Sequence, residues 1–116
     1  MNTPVNFSIA KLLKEKGFDA PTLKWYHRET KKLNTNDLKF SMNKLTDNYS
    51  APNISEVVVW CFDKYGIWVY ADYYNENRWF GVFRTKEGVK KELFDVFNTP
   101  TEAYEAAIEY TLKNLL

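Results

Sequence analysis

The sequence predicts an α+β domain in which helices pack on an antiparallel sheet of about five strands, in the order α-β-β-α-β-β-β-α. Three observations predict it. Two amphipathic segments, near residues 53–66 and 99–116, carry their own start and stop residues. Between them, β-branched and aromatic residues run from Ile67 to Arg84 around a short polar turn. The connections between the inferred strands are too short for parallel crossovers, so adjacent strands must run antiparallel. At 116 residues the chain has the length of a single domain, 1–116, and 4 Trp, 8 Tyr and 8 Phe give it apolar bulk for a core.

Taken in order, Phe7 to Lys16 reads as a short helix. Ile9, Leu12 and Leu13 share one side, and Gly17 is a natural stop. Asp19-Ala20-Pro21-Thr22 then breaks regularity, because proline restricts the residue before it. Residues 23–29 read as a strand, and the polar run Thr30–Asn36 as a turn. Leu38, Phe40 and Met42 alternate with Lys39 and Ser41, the period of a half-buried strand. Together these suggest a hairpin, followed by a connecting loop over Asn43–Ser50.

Asn53 and Glu56 have capping-box spacing ahead of a second helix. Ile54, Val57, Val58, Cys61, Phe62 and Tyr65 form its apolar side, Val59 and Trp60 widen the arc, and Gly66 closes it. Three strands follow. Ile67–Tyr74 and Arg78–Arg84 flank the turn residues Asn75-Glu76-Asn77, and Glu92–Phe97 follows a second turn at Lys86-Glu87-Gly88. In the last helix, Thr99 suits the N-cap, Pro100 the first helical position and Glu102 the third. Tyr104, Ala107, Ile108, Thr111, Leu112 and Leu115 line one side of it.

Composition narrows the chemistry. Sixteen basic and 15 acidic side chains leave a net charge of +1, which provides no global steering toward nucleic acid or anionic membrane. One cysteine, Cys61, excludes an internal disulfide and any multi-cysteine zinc site. No uninterrupted apolar run reaches membrane-spanning length, and no apolar segment follows a basic start, so the expectation is a cytoplasmic protein with no membrane partner. The four glycines, at 17, 66, 81 and 88, are scattered, so phosphate-loop and dinucleotide fingerprints are missing and no cofactor is expected.

Ser50-Ala51-Pro52, then Glu56-Val57-Val58, Trp60, Lys64 and Gly66-Ile67-Trp68, form one half of a recurrent pattern. The stretch from Pro100-Thr101-Glu102-Ala103-Tyr104-Glu105 through Ala106-Ala107-Ile108-Glu109-Tyr110-Thr111-Leu112-Lys113-Asn114-Leu115 forms the other. The pattern resembles small uncharacterised proteins of gut Bacteroidales and of their phages and mobile elements. The likeness covers the C-terminal two-thirds of the chain and the start from Ile9 to Phe18. It implies a genomic setting and carries no activity, ligand or catalytic residue with it.

Single residues that could carry chemistry each have a plainer reading. His27 is the only histidine, and Tyr26 and Arg28 beside it supply no motif. Cys61 lies on the apolar side of its helix, where a thiol is inert. Glu102/Glu105 and Glu105/Glu109 have the spacing of neighbours on a helix, which is also the spacing of an ordinary solvated helix side. No catalytic residues and no metal ligands are therefore assigned, and the chain is expected not to be an enzyme.

The hairpin of residues 67–84 holds the one surface of interest. A three-residue loop, Asn75–Asn77, sets Tyr74 opposite Arg78 and pairs the strands back from there. One side then carries Ile67, Val69, Ala71, Tyr73, Trp79, Gly81 and Phe83, a set suited to a core. The other carries Trp68, Tyr70, Asp72, Tyr74, Arg78, Phe80, Val82 and Arg84. A loop of two or four residues would flip the register and dissolve this division.

Three readings of the second side remain open. It could be a shielding ladder with Trp68 on Arg84 and Asp72 against Arg78. It could be a protein interface, since Trp, Tyr and Arg are enriched at binding hot spots. It could be a base-stacking platform with arginines on phosphate. The expected function is a non-enzymatic protein-interaction module, with Trp68, Tyr70, Tyr74, Arg78, Phe80 and Arg84 as binding residues. Its partner is another protein or a second copy of itself. Single-stranded nucleic-acid binding on the same side is the alternative, and a third class is an enzyme or small-ligand site assembled from dispersed residues.

Overall fold

A computed structural model describes residues 3–116, the side chain of Phe94 excepted. The chain divides into two compact units, Pro4–Asn53 and Ile54–Leu116, the latter joined by Thr3. The α+β class and the antiparallel pairing hold throughout. The expected single sheet of about five strands does not. Among the described residues, six strands form two separate three-stranded sheets.

In the unit Pro4–Asn53, helix α1 spans Phe7–Glu15. It starts where the Asn6 side chain accepts the Ile9 amide at 2.9 Å, a cap that satisfies one of the helix's orphan donors. It stops at Gly17, whose φ of 86° suits glycine. The Phe18 amide reaches back to the Leu13 carbonyl and the Gly17 amide to that of Lys14, the double closure of a Schellman ending. Phe18 is thereby turned inward and buried with Val5, Ile9, Ala10 and Leu13.

Strands β1 (Thr22–His27), β2 (Leu33–Phe40) and β3 (Asn48–Ser50) form this unit's sheet, in the order β2-β1-β3. The β1–β2 turn closes between His27 and Lys32, with Lys31 at a φ of 58°, earlier than the polar run 30–36 suggested. Between the pairs Thr22↔Phe40 and Lys24↔Thr35, β2 takes five steps where β1 takes two. The resulting bulge throws Leu38 outward to 81% exposure and leaves Phe40 exposed, so their alternation does not mark a half-buried strand.

Met42, placed by periodicity in the same strand, instead opens a 3₁₀ turn, Met42–Lys44, and is buried. The expected loop 43–50 contains β3, whose Tyr49 and Ser50 are also buried. Asn43 anchors β3 by exchanging two hydrogen bonds with Ser50, at 2.7 and 3.1 Å. The Lys14 ammonium donates to the carbonyls of Leu45 and Asn48 from across the unit. Burial, and the Arg28 guanidinium, hold that ammonium below the ordinary lysine pKa, against a smaller opposing pull from Asp47.

In the second unit, α2 spans Ile54–Tyr65 and α3 spans Pro100–Asn114. Thr99 caps α3 as its sequence requires, accepting the Glu102 amide at 3.2 Å. Strands β4 (Ile67–Asn75), β5 (Arg78–Thr85) and β6 (Lys90–Phe97) form a meander in sequence order. Helix α3 lies against one side of it, very close to β5. A methyl group added at Gly81 would stand 2.8 Å from the Ala103 carbonyl oxygen and 3.0 Å from the Ala107 Cβ. Glycine on the strand and the small Ala107 side chain on the helix permit this approach.

The core of this unit joins Ile54, Val57, Val58 and Cys61 of α2 to Val69 and Phe83, and to Ala103, Ala107, Ile108 and Leu112 of α3. The buried line of α3 thus centres on Ala103 and Ala107. Tyr104, expected on it, is only half-buried, and Leu115 is exposed. On α2 the apolar arc is incompletely covered. Val59, Phe62 and Tyr65 remain exposed, and the Lys64 ammonium lies over the Trp60 and Tyr65 rings.

Candidate functional site

The β4–β5 ladder has the expected register. Trp68 pairs with Arg84, Val69 with Phe83, Tyr70 with Val82, Asp72 with Phe80 and Tyr73 with Trp79. The loop, however, is two residues long. Asn75 pairs with Arg78 around Glu76 and Asn77, whose φ values of 39° and 66° are the left-handed pair of a tight hairpin turn. A shorter loop alone would have flipped every side chain. Tyr74 prevents this by standing unpaired as a bulge between Tyr73 and Asn75, so the count is restored before the ladder begins. The expected pairing of Tyr74 with Arg78 is corrected accordingly.

The two sides of the hairpin differ as alternation demands only away from the tip. Ile67, Val69, Gly81 and Phe83 are buried on the α3 side, where Phe83 stacks on Tyr110 at 5.6 Å. Of the remaining residues expected in that core, Ala71 and Trp79 are half-buried and Tyr73 is exposed, because the hairpin tip runs beyond the helix. Lys91 from β6 donates to the Tyr110 hydroxyl at 3.0 Å. On the other side Trp68, Asp72, Tyr74, Arg78 and Arg84 are exposed, Tyr70 and Phe80 are half-buried, and Val82 is wholly buried. The middle of this side is therefore closed and its ends are open.

Each open end is a cleft. The end near the hairpin tip holds one of about 430 Å³, lined by Tyr74, Arg78, Phe80, Glu92, Leu93 and Val96. The other end holds one of about 250 Å³, lined by Phe62, Gly66, Trp68, Arg84, Thr85 and Lys86. Of the six residues the sequence singled out, three fall in the first, two in the second, and Tyr70 lies between them.

The first cleft owes its floor to an irregularity in β6. Phe80 pairs with Val96 and Val82 with Glu92, so β6 takes four steps where β5 takes two. The extra residues bring Leu93 to the cleft beside Glu92 and Val96. Nothing in the sequence signalled that bulge. The lining role of Lys86 was closer to hand, because it directly follows Arg84 and Thr85.

The shielding ladder takes a different form from the expected one. Trp68 stands opposite Arg84, but its ring packs edge-on against Phe62 at 5.2 Å, and Tyr74 packs edge-on against Phe80 at 6.4 Å. The Asp72 carboxylate accepts the Tyr73 amide at 2.8 Å and leaves Arg78 alone. The ion pairs of the described residues include Arg28–Asp47, Lys90–Glu92 and Lys113–Glu109, and among the described residues neither Arg78 nor Arg84 belongs to one.

The remaining candidates have structural employment. The His27 Nδ1 accepts the amides of Glu29 and Thr30, at 3.2 and 3.4 Å, and so braces the β1–β2 turn. Cys61 is fully buried, and loss of hydration pushes its thiol up to about 12, far from thiolate chemistry. Glu102 hydrogen-bonds the Thr99 hydroxyl and Glu109 pairs with Lys113 at 2.7 Å. Among the described residues no group of three or more His, Cys, Asp or Glu is placed to hold a metal ion. No helix among them is long and apolar enough to cross a membrane. Comparison with models of protein families, with curated proteins and with solved structures finds no match to this chain.

Proposed function

We propose that this chain is a non-enzymatic protein-interaction module, encoded by a phage, prophage or mobile element and acting in the cytoplasm. It offers the Trp68–Arg84 side of the β4–β5–β6 sheet to another protein or to a second copy of itself. One observation carries the reading. Trp68, Tyr74, Arg78 and Arg84 are exposed together on one side of a sheet, and neither arginine is paired among the described residues. Rings and guanidinium groups are the side chains that dominate binding energy when a partner desolvates them.

A photo-crosslinking amino acid placed at Trp68, at Tyr74 or, as control, at Glu109 tests this in cells that carry the gene. The expected result is discrete adducts from the first two positions and none from the third, with mass spectrometry separating self-adducts from those with another protein. An absence of adducts at both Trp68 and Tyr74 refutes the proposal.

The unpaired guanidinium groups beside aromatic rings also favour a second reading, single-stranded nucleic-acid binding. It is weaker because the net charge is only +1, which provides no global attraction to a phosphate backbone. Titration with an oligothymidylate at two salt concentrations decides the matter, because phosphate contacts weaken steeply with salt.

A further inference from the structure

We propose that the cleft formed by Phe62, Gly66, Trp68, Arg84, Thr85 and Lys86 takes a carboxylate-bearing segment of the partner protein, an acidic side chain with an apolar neighbour. This rests on the protein-interaction reading and names the chemistry of the partner at one end of the surface.

The argument is charge complementarity. Arg84 and Lys86 both line the cleft and no acidic side chain does. The cross-strand neighbour of Arg84 on β4 is Trp68, and on β6 it is Lys90, a like charge directly opposite. Like charges in that position oppose folding, and an aspartate or glutamate there would have relieved it. Lys90 finds its own counter-ion in Glu92, at 3.6 Å, while Arg84 is left with none among the described residues. The Lys86 stem lies against Gly66, within 2.9 Å of where a Cβ would stand, and its ammonium sits 5.5 Å from the Phe62 ring centroid. Two cations are thus held at the rim of an aromatic floor made by Phe62 and Trp68, both exposed. The exposed Val59 on the same helix as Phe62 adds apolar surface.

That arrangement fits a carboxylate between the cations and an apolar side chain on the rings. At about 250 Å³ it admits a side chain or two of an extended segment. The tip cleft differs in kind: Arg78 there shares the lining with Glu92, so it has no net preference for an anion.

The test is an amide and indole NMR titration of the full chain with a blocked Glu-Leu-Glu-Leu peptide and its Gln-Leu-Gln-Leu counterpart. The glutamate peptide is expected to move the signals of Gly66, Trp68 and Thr85, and the glutamine peptide to leave them in place. Arg84→Gln and Lys86→Gln should each weaken the glutamate peptide roughly threefold, and together roughly tenfold. Arg84→Gln should not melt below the parent protein, because it removes a like charge opposite Lys90; a purely structural role would lower the melting temperature.

Equal shifts with both peptides, or no shifts with either, overturn the assignment. So does displacement of the glutamate peptide by inorganic phosphate or by an oligothymidylate at lower concentration, which would make the cleft a phosphate site. Crosslinks from Tyr74 would persist in any of these cases, so failure here is distinct from failure of the interaction reading.

Discussion

The two sides of the β4–β5–β6 sheet are built from alternate residues of the same strands, and they do different work. On the α3 side, contact is so close that glycine at position 81 leaves room for the Ala103 carbonyl and the small side chain of Ala107. On the other side only the middle is closed, at Val82, and the two ends keep rings and guanidinium groups in solvent. The α3 side and the sealed Val82 set the stability of this unit, and only the two open ends of the other side are free of that work. The difference shows that exposure here is local. The functional candidates sit where the sheet runs beyond its cover, not across a whole uncovered surface.

Three substitutions would break or sharpen that contrast. Gly81→Ala should have the largest effect, about 3 kcal/mol and about 10 °C in melting temperature, because the new methyl meets the Ala103 carbonyl of α3 and a backbone cannot step aside cheaply. A melt within 2 °C of the parent protein would mean that α3 is not seated on β5 as described. Val82→Ala tests whether the centre of the other side is truly sealed. A loss of about 2 kcal/mol in urea unfolding is expected for a valine that is 0% exposed, and a loss under about 0.5 kcal/mol would reopen the two clefts into one continuous surface. Arg78→Gln should have the smallest effect, within about 0.5 kcal/mol, since the guanidinium is exposed and has no ion-pair partner among the described residues. A larger loss would show that this arginine belongs to the scaffold.

The second unit was far more legible in the sequence than the first, for a physical reason. Strands β4 and β5 are long, rich in β-branched and aromatic residues, and joined by a strong turn signal, so the pair and its period follow from local chemistry. The expected register was reached only because the Tyr74 bulge offsets the shorter loop. Helix α3 announces itself through Thr99, Pro100 and Glu102, each suited to its place. In Pro4–Asn53, by contrast, β3 is three residues long, too short to show any period, and β2 is interrupted by its bulge. The alternation of Leu38, Phe40 and Met42 was real but spanned the end of one strand and the start of a 3₁₀ turn.

That the strands form two sheets could not be read locally, because sheet membership is decided by pairing between distant segments. The site was legible to the same degree. Alternation put Trp68, Tyr70, Tyr74, Arg78, Phe80 and Arg84 on one side. The burial of Val82, which parts them into two clefts, depends on tertiary cover. The β6 bulge that supplies Leu93 depends on strand pairing, and no periodicity encodes it.

The unpaired Tyr74 has a consequence for how this hairpin can change over time. Because it stands outside the ladder, its deletion would leave Asn75 facing Arg78 and Tyr73 facing Trp79, with every pair below them intact. The tip can therefore lose a residue and keep its register, where the same deletion elsewhere in the ribbon would invert inside and outside. Length variation at this one position would alter what the tip displays while leaving the scaffold untouched, which makes it the natural place for a lineage to vary the exposed surface of the tip.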